Sequence, residues 1–278
     1  MNYKTLLVHL DDSRHCDARM NFALDLAQQW DAHLIGLYVV CQDLLQPLFR
    51  ADESLRLGEN EAQHAERRQA VHDRFHAAAE RVGRAVEWRA PAGSPTEVAT
   101  LHARHADLLV LGQYDPDEPA SYIARNFIED LLMGSGRPAV VLPYAGLPKT
   151  FGENVMIAWD GSREAARAVA DALPLLKRAR FVTIEAVQRS HGAEADNAPA
   201  GIDLAAYLER HGIRASFSAT PHVPGVKTGA VLLNRLFDVH ADLLVMGAYG
   251  HTRVHERVLG GVTRTILESM TAPVLMSH

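Results

Sequence analysis

His105-Ala-Asp-Leu-Leu-Val-Leu-Gly112 recurs 135 positions later as His240-Ala-Asp-Leu-Leu-Val-Met-Gly247, with only Leu111 and Met246 differing. The same displacement carries Pro138 onto Pro273 without a gap, and each proline opens a short apolar run, to Leu142 and to Met276. Self-similarity of this extent means one architectural unit written twice. Each copy also begins alike: the apolar run Lys4–Leu10 stops at Asp11, and Asn154–Trp159 stops at Asp160. From that aspartate to the repeated glycine is 101 residues in the first copy and 87 in the second, so the first copy carries about fourteen extra residues. They are expected within the polar segment Gln42–Val82.

Between these markers, strand-like and helix-like patterns alternate. In the first copy a strand at Lys4–Leu10 precedes Ala23, Leu26, Ala27 and Trp30 at helical spacing. Then come a strand at His33–Val40, a long polar helix, a strand near Ala85–Arg89, a helix at Pro95–Ala106, a strand at Asp107–Gly112, a further helix and a strand from Pro138. In the second copy the helix Arg163–Leu176 is expected to place Ala166, Val169, Leu173 and Leu176 on one face, with Pro174 kinking or ending it. Continuous apolar strands such as Val155–Trp159 and Leu243–Met246 suit a parallel sheet covered on both faces. The fold class is α/β: two tandem doubly wound, Rossmann-like domains, each a five-stranded parallel sheet with helices on both faces. The domains are expected at 1–145 and 152–278, joined near Ala145–Gly152. Such sheets bind ligands beyond the carboxyl ends of their strands.

The formal net charge of −6 argues against nucleic-acid or membrane partners, which select clustered Lys and Arg. The cluster Lys177, Arg178 and Arg180 sits at an expected helix end, where it complements the helix dipole. Cys16 and Cys41 are too few for a disulfide framework and read as free thiols in a reducing compartment. The first apolar run is too short for a signal sequence or a membrane span, so a cytoplasmic location is expected.

Chemistry concentrates after the strand that ends at Gly247. Gly247 and Gly250 are followed, after nine residues, by Gly260, Gly261, Val262 and Thr263, with a helix expected from about Thr263 through Leu267. Glycines admit close backbone approach, and a helix N-terminus adds unpaired N–H donors and positive dipole. Together they make a phosphate site, with Arg253, Arg257 and Arg264 near in sequence. By spacing alone, the same loop could be a tight connection that binds nothing. Gly-x2-Gly-x9-Gly after an Asp-Leu-Leu-Val-Met-Gly strand resembles the ATP-binding signature of the universal stress protein family, and the resemblance covers both copies. It implies that the loop glycines, Val262 and Thr263 hold ribose and phosphates. Asp160 would lie near base and ribose, a backbone contact at Val187 would hold adenine, and Ala158, Trp159 and Met246 would line the pocket. The residue after the third glycine is usually Ser or Thr in that family; here it is Gly261. Asp160 could also be a helix N-cap, a role Ser162 is equally placed to take.

The resemblance implies ATP or ADP as ligand and leaves open whether Mg accompanies it. The leading reading is a stress-response binding module without enzymatic turnover. A slow ATP hydrolase or nucleotidyl-transfer enzyme is the alternative, and a nucleotide-free scaffold the third. No P-loop lysine and no Gly-x-Gly-x-x-Gly fingerprint is present. Of the fifteen histidines, His64, His72 and His76 could share a helix face, but the polar context reads as a solvated surface, not a metal site. The copies are expected to pair through their last strands, around Val140 and Leu275, as an intramolecular pseudo-dimer, with a chain homodimer left open. Only the second copy is expected to bind nucleotide. Under the 135 shift Gly250, Gly260, Gly261 and Thr263 become Asp115, Arg125, Asn126 and Ile128. Those side chains would obstruct close approach, and Asp117 and Glu118 add negative charge beside Asp115.

Overall fold

The computed structural model describes residues 2–40, 53–118, 125–187, 201–221, 223–250 and 261–278, with backbone alone at 53–61 and 201–202. Cys41, Arg253, Arg257 and Gly260 lie outside the described residues. The chain divides by its contacts into two compact units, Asn2–Ser135 and a second that contains Gly136–His278.

The first unit contains β1 (Thr5–Leu10), α1 (Cys16–Trp30), β2 (His33–Tyr38), α2 (Glu53–Arg81), β3 (Glu87–Arg89), α3 (Pro95–Ala103), β4 (Leu108–Gly112) and α4 (Phe127–Ser135). Its strands run parallel in the order β3-β2-β1-β4. The α2 helix has 29 residues against 10 in its counterpart in the second unit, which is where the first copy is longer. Gly136, with φ +65, follows α4 directly and ends it in the left-handed conformation glycine tolerates.

The second unit contains β5 (Ala139–Leu142), β6 (Asn154–Ala158), α5 (Arg163–Leu176), β7 (Phe181–Val187), α6 (Gly201–Arg210), β8 (Ser216–Thr220), α7 (Thr228–Asp238), β9 (Leu243–Gly247), α8 (Gly261–Ser269) and β10 (Val274–Ser277). The strand order is β5-β10-β9-β6-β7-β8. All pairs are parallel except β5 with β10, which is antiparallel with Val140 opposite Leu275. The contacts of β5 thus assign it to the second unit, and the division falls after Ser135, ahead of residue 145. The architecture is α/β with mostly parallel strands and the same plan twice. Val155–Ile157 and Leu243–Val245 are at most 1 % exposed, as strands covered on both faces must be. No described helix is long and apolar enough to cross a membrane.

Three local expectations are corrected. The buried face of α5 is Ala165, Ala168, Val169, Ala172, Leu175 and Leu176, whereas Ala166 is exposed. Small alanines face the sheet because α5 packs closely on β9. Pro174 does not end α5: the helix continues to Leu176 and the Lys177 amide still donates to the Leu173 carbonyl, 3.0 Å. α8 begins at Gly261, two residues before the expected start.

The repeated Asp of the octapeptide has a structural meaning. Asp107 Oδ2 accepts from the Lys4 and Thr5 amides at 2.7 and 2.9 Å. The Asp242 carboxylate accepts from the Glu153 and Asn154 amides at 3.2 and 3.0 Å. Each carboxylate ties the start of its copy's fourth strand to the start of the first. Asp242 is 5 % exposed, and removing it takes the acceptor from two part-buried amides. Asp242→Ala is expected to destabilise the second unit by about 1–3 kcal/mol and Asp242→Asn by less, read from urea unfolding.

Candidate functional site

In the second unit β6 and β9 are neighbours, and the chain order reverses between them. Crevices open at such a switch point beyond the carboxyl ends of the strands. A cavity of about 210 Å³ lies there. Of the eleven residues expected from the sequence, ten line it: Ala158, Trp159, Asp160, Val187, Met246, Gly247, Gly250, Gly261, Val262 and Thr263. Gly260 is outside the described residues. Three elements end together here, β6, β7 and β9, and α8 starts here with Gly261, Val262 and Thr263. The first amides of α8 have no intrahelical acceptor.

The glycines differ in what they do. A Cβ at Gly247 would come within 2.5 Å of the Ala165 amide nitrogen, so this glycine is required by the close passage of α5. A Cβ at Gly250 would meet Glu164 Oε2 at 2.9 Å, the mobile end of a side chain. At Gly261 a Cβ would meet no atom of the described residues within 4 Å. Tyr249 between them has φ +63, an uncommon conformation for a non-glycine residue. Its amide donates to Thr263 Oγ1 at 3.3 Å, which ties the loop to α8.

Ser162 is the N-cap of α5: its Oγ accepts from the Ala165 amide at 3.1 Å. Asp160 Oδ1 accepts from the Ser162 amide at 2.9 Å, holding an exposed carboxylate at the cavity rim. Glu164 is buried, and burial would raise its pKa, but the Arg163 guanidinium at 2.5 Å helps hold it below the usual carboxylate range. Arg264 pairs with Glu268 at 2.9 Å on the exposed side of α8 and does not line the cavity. The indole Nε1 of Trp159 is buried and has no hydrogen-bond partner among the described residues.

The sequence reading missed Glu185, Thr228, Leu232 and Tyr249, which also line the cavity. Glu185 is 0 % exposed in the middle of β7. A charged residue inside the apolar strand Phe-Val-Thr-Ile-Glu-Ala-Val was the available signal, because burying a charge demands a partner.

The first unit fills the equivalent place with its own side chains. Aligning Asp11 with Asp160 places His9 at Ala158 and Arg19 at Ala168; the 135 shift places Phe127 at Val262. His9 Nε2 donates to the Val39 carbonyl at 2.8 Å, and its ring lies 4.9 Å from that of Phe127. Val39 corresponds to Val187. Arg19 is 3 % exposed, donates from Nε to the His9 carbonyl at 2.6 Å, and places Nη2 2.8 Å from Asp11 Oδ2. That last contact is an ion pair whose alignment falls short of a full hydrogen bond. A Cβ at Gly112 would collide with the Arg19 guanidinium. The expected obstruction by Asp115, Arg125 and Asn126 is thus only part of the account. Arg125 and Asn126 are exposed, and Asn126 Nδ2 donates to Asp130. Asp115 is buried beneath His15 and Arg14, at 2.9 and 2.5 Å. Burial would raise its pKa, but those hydrogen bonds hold it at about 2.

His15, Asp115 and Glu118 bring possible ligand atoms within 4.8 Å of one another. Arg14 already spans both carboxylates, 2.5 Å from Asp115 and 3.2 Å from Glu118, so the cluster carries its own cation. His72 and His76 are adjacent rings 4.3 Å apart, and His72 Nδ1 lies 3.0 Å from the exposed Asp73. His64 instead lines a groove with Arg68 and Ser94.

The universal stress protein family matches the chain at residues 2–141 and 152–278. A universal stress protein from Archaeoglobus fulgidus DSM 4304 superposes with a TM-score of 0.71 at 17% identity, covering 98% of this chain and 95% of that one. A protein of Pseudomonas aeruginosa UCBPP-PA14, described as belonging to the same family, gives 0.61 at 16% identity, covering 99% and 93%. A functionally unknown protein of P. aeruginosa PAO1 gives 0.56 at 14%, covering 99% and 92%. No curated protein matches the chain.

Two outcomes follow from the filled first unit. Arg19→Leu leaves Asp11 buried without its cation and is expected to cost about 3–5 kcal/mol, much of it recovered by adding Asp11→Asn, in denaturant melts. His9 is fully buried, and its desolvation lowers its pKa from 6.5 to about 4. As pH falls from 6.5 to 4 the unfolded chain takes up a proton that the folded unit refuses. Stability present above pH 6.5 is therefore lost across that window, by about 3 kcal/mol from this group. His9→Met should flatten that part of the pH–stability curve. Asp11 acts in a lower window. Burial opposes its ionisation, but Arg19, His9 and Ser13 hold its pKa at about 2, so its contribution is lost only below 3.8.

Proposed function

The chain belongs to the universal stress protein family, and from that premise we propose that its second unit binds one adenine nucleotide, ATP or ADP, as a regulatory module without fast turnover. One observation carries the reading: ten residues chosen from the sequence, from four separate elements, converge on one cavity at the switch point of the sheet.

The residues present fit such a ligand. The cavity is smaller than the roughly 300–1,000 Å³ of sites that enclose a drug-sized molecule. It suits a base and part of a ribose, with Val187, Ala158 and Met246 as the apolar walls. Phosphates would lie at the mouth, against the amides that open α8, where the helix dipole and the small Gly250 and Gly261 favour an anion. Trp159 Nε1 supplies a buried donor with no acceptor among the described residues. Asp160 at the rim is placed for a ribose hydroxyl. Any Mg would be held chiefly by the phosphates themselves, since Asp160 is the one exposed carboxylate among the described lining residues. No lysine is among the described residues that line the cavity to assist phosphoryl transfer, which supports binding over catalysis. A role in stress response and a cytoplasmic location are proposed with it on family membership.

Titration calorimetry with ATP should give one site per chain. Gly250→Asp with Gly260→Arg should abolish binding, because the new carboxylate would stand beside Glu164 and the mouth. Two equivalent sites, or undiminished affinity in that double variant, would overturn the assignment. Gly261→Ser, whose Cβ meets no atom of the described residues, should tighten binding about 2- to 10-fold by one added hydrogen bond. Steady turnover of ATP near one per second, lost in Asp160→Ala, would contradict the non-enzymatic reading.

A further inference from the structure

We propose that Glu185 is the specificity-determining residue of this cavity, selecting a purine that carries an exocyclic amino group and rejecting one that carries a carbonyl there. The proposal rests on the nucleotide reading above and deepens it. Glu185 and Val187 lie two apart on β7, so their side chains share one face of the sheet, and both line the cavity. The Trp159 amide donates to the Glu185 backbone carbonyl at 2.9 Å, and both residues line the cavity.

The carboxylate is held but not saturated. Thr220 Oγ1 donates to Oε1 at 2.6 Å, and Arg235 Nε lies 3.3 Å from Oε2. The Arg235 guanidinium is also shared with Ser218 and Asp238, at 3.3 and 3.4 Å. An ionised carboxylate has about four acceptor positions, so these two partners leave capacity for a donor from the cavity. Thr228, Leu232 and Arg235 recur along one face of α7, and the first two line the cavity, so α7 and β7 form this wall together.

The fold does not require a charge here. By register Glu185 pairs with Ala158 as Leu37 pairs with His9, so the first unit has a fully buried leucine at the same place. Arg235 corresponds under the 135 shift to Thr100. A carboxylate buried in a strand demands partners that an apolar residue would not, and Glu185 keeps that demand on the wall of the cavity, which points to a ligand. An amino group on the base edge would donate to the carboxylate. A carbonyl oxygen there would face it lone pair to lone pair in a desolvated site.

The test compares ATP with inosine triphosphate, which replaces the amino group by a carbonyl, by calorimetry on the full chain. The wild type should bind ATP about 10- to 100-fold more tightly. In Glu185→Gln, whose amide can donate as well as accept, the ratio should fall to within about 3-fold. Glu185→Leu with Arg235→Met removes the pair together, leaves no unpaired charge, and should lose the ratio in the same way, with melting curves as the check of folding. Equal binding of both nucleotides by the wild type, or a ratio unchanged in Glu185→Gln, overturns the role of Glu185 while leaving the nucleotide site standing. Failure of the wild type to bind either nucleotide removes the site itself, and this proposal with it.

Discussion

The carboxylates Asp107 and Asp242 set the geometry from which the rest of each copy follows. In the second unit Asp242 takes two successive amides at the start of β6, and the adjacent Asp242 amide donates to the Asn154 carbonyl at 2.8 Å. This clamp locks β9 beside β6 in one register, with Ala158 opposite Met246 at the far end. A slip by one residue would turn every side chain of the strand to the opposite face. Ala158 and Met246 would then leave the cavity wall, and Gly247 would no longer lie where α5 passes. The distant end of the strand is therefore positioned by a polar contact at its beginning, because a parallel strand of five residues transmits register without tolerance.

Much of this was legible in the residues. The repeat, the alternation of strands and helices, and the glycine-rich loop before a helix follow from local rules of burial and backbone freedom, whereas the roles of Asp160 and Val187 were implied only by the family resemblance. What could not be read depends on partners remote in sequence. The inward face of α5 is chosen by how closely β9 approaches, which selects alanines rather than the bulkier Leu173. Pro174 is carried inside the helix because the turns on either side of it are anchored by packing, which outweighs its intrinsic cost. The antiparallel pairing of β5 with β10 assigns that strand by contact to the later unit, although in sequence it ends the earlier copy. Glu185 escaped notice because the apolar residues around it read as an ordinary buried strand, and its partners Thr220 and Arg235 lie 35 and 50 residues away.

The two copies solve one electrostatic problem in opposite ways. A crevice at the carboxyl ends of parallel strands exposes carbonyls and loop amides that must find partners. In the first copy the chain supplies them itself: His9 takes the Val39 carbonyl, Arg19 takes the His9 carbonyl and neutralises Asp11, and Phe127 closes the space against the imidazole. Each substitution needs the others, since Arg19 without Asp11 would be an unpaired buried cation and His9 without Phe127 would face a void. In the second copy alanines stand at the positions of His9 and Arg19, and Ala158, at the position of His9, lines the open cavity. The polar groups left on its wall, the Trp159 indole and the Glu185 carboxylate, are among the described residues a donor without an acceptor and an acceptor with capacity to spare. Leaving such groups buried and incompletely paired is costly in a protein interior, and a ligand presenting both an acceptor and a donor on one planar edge removes that cost.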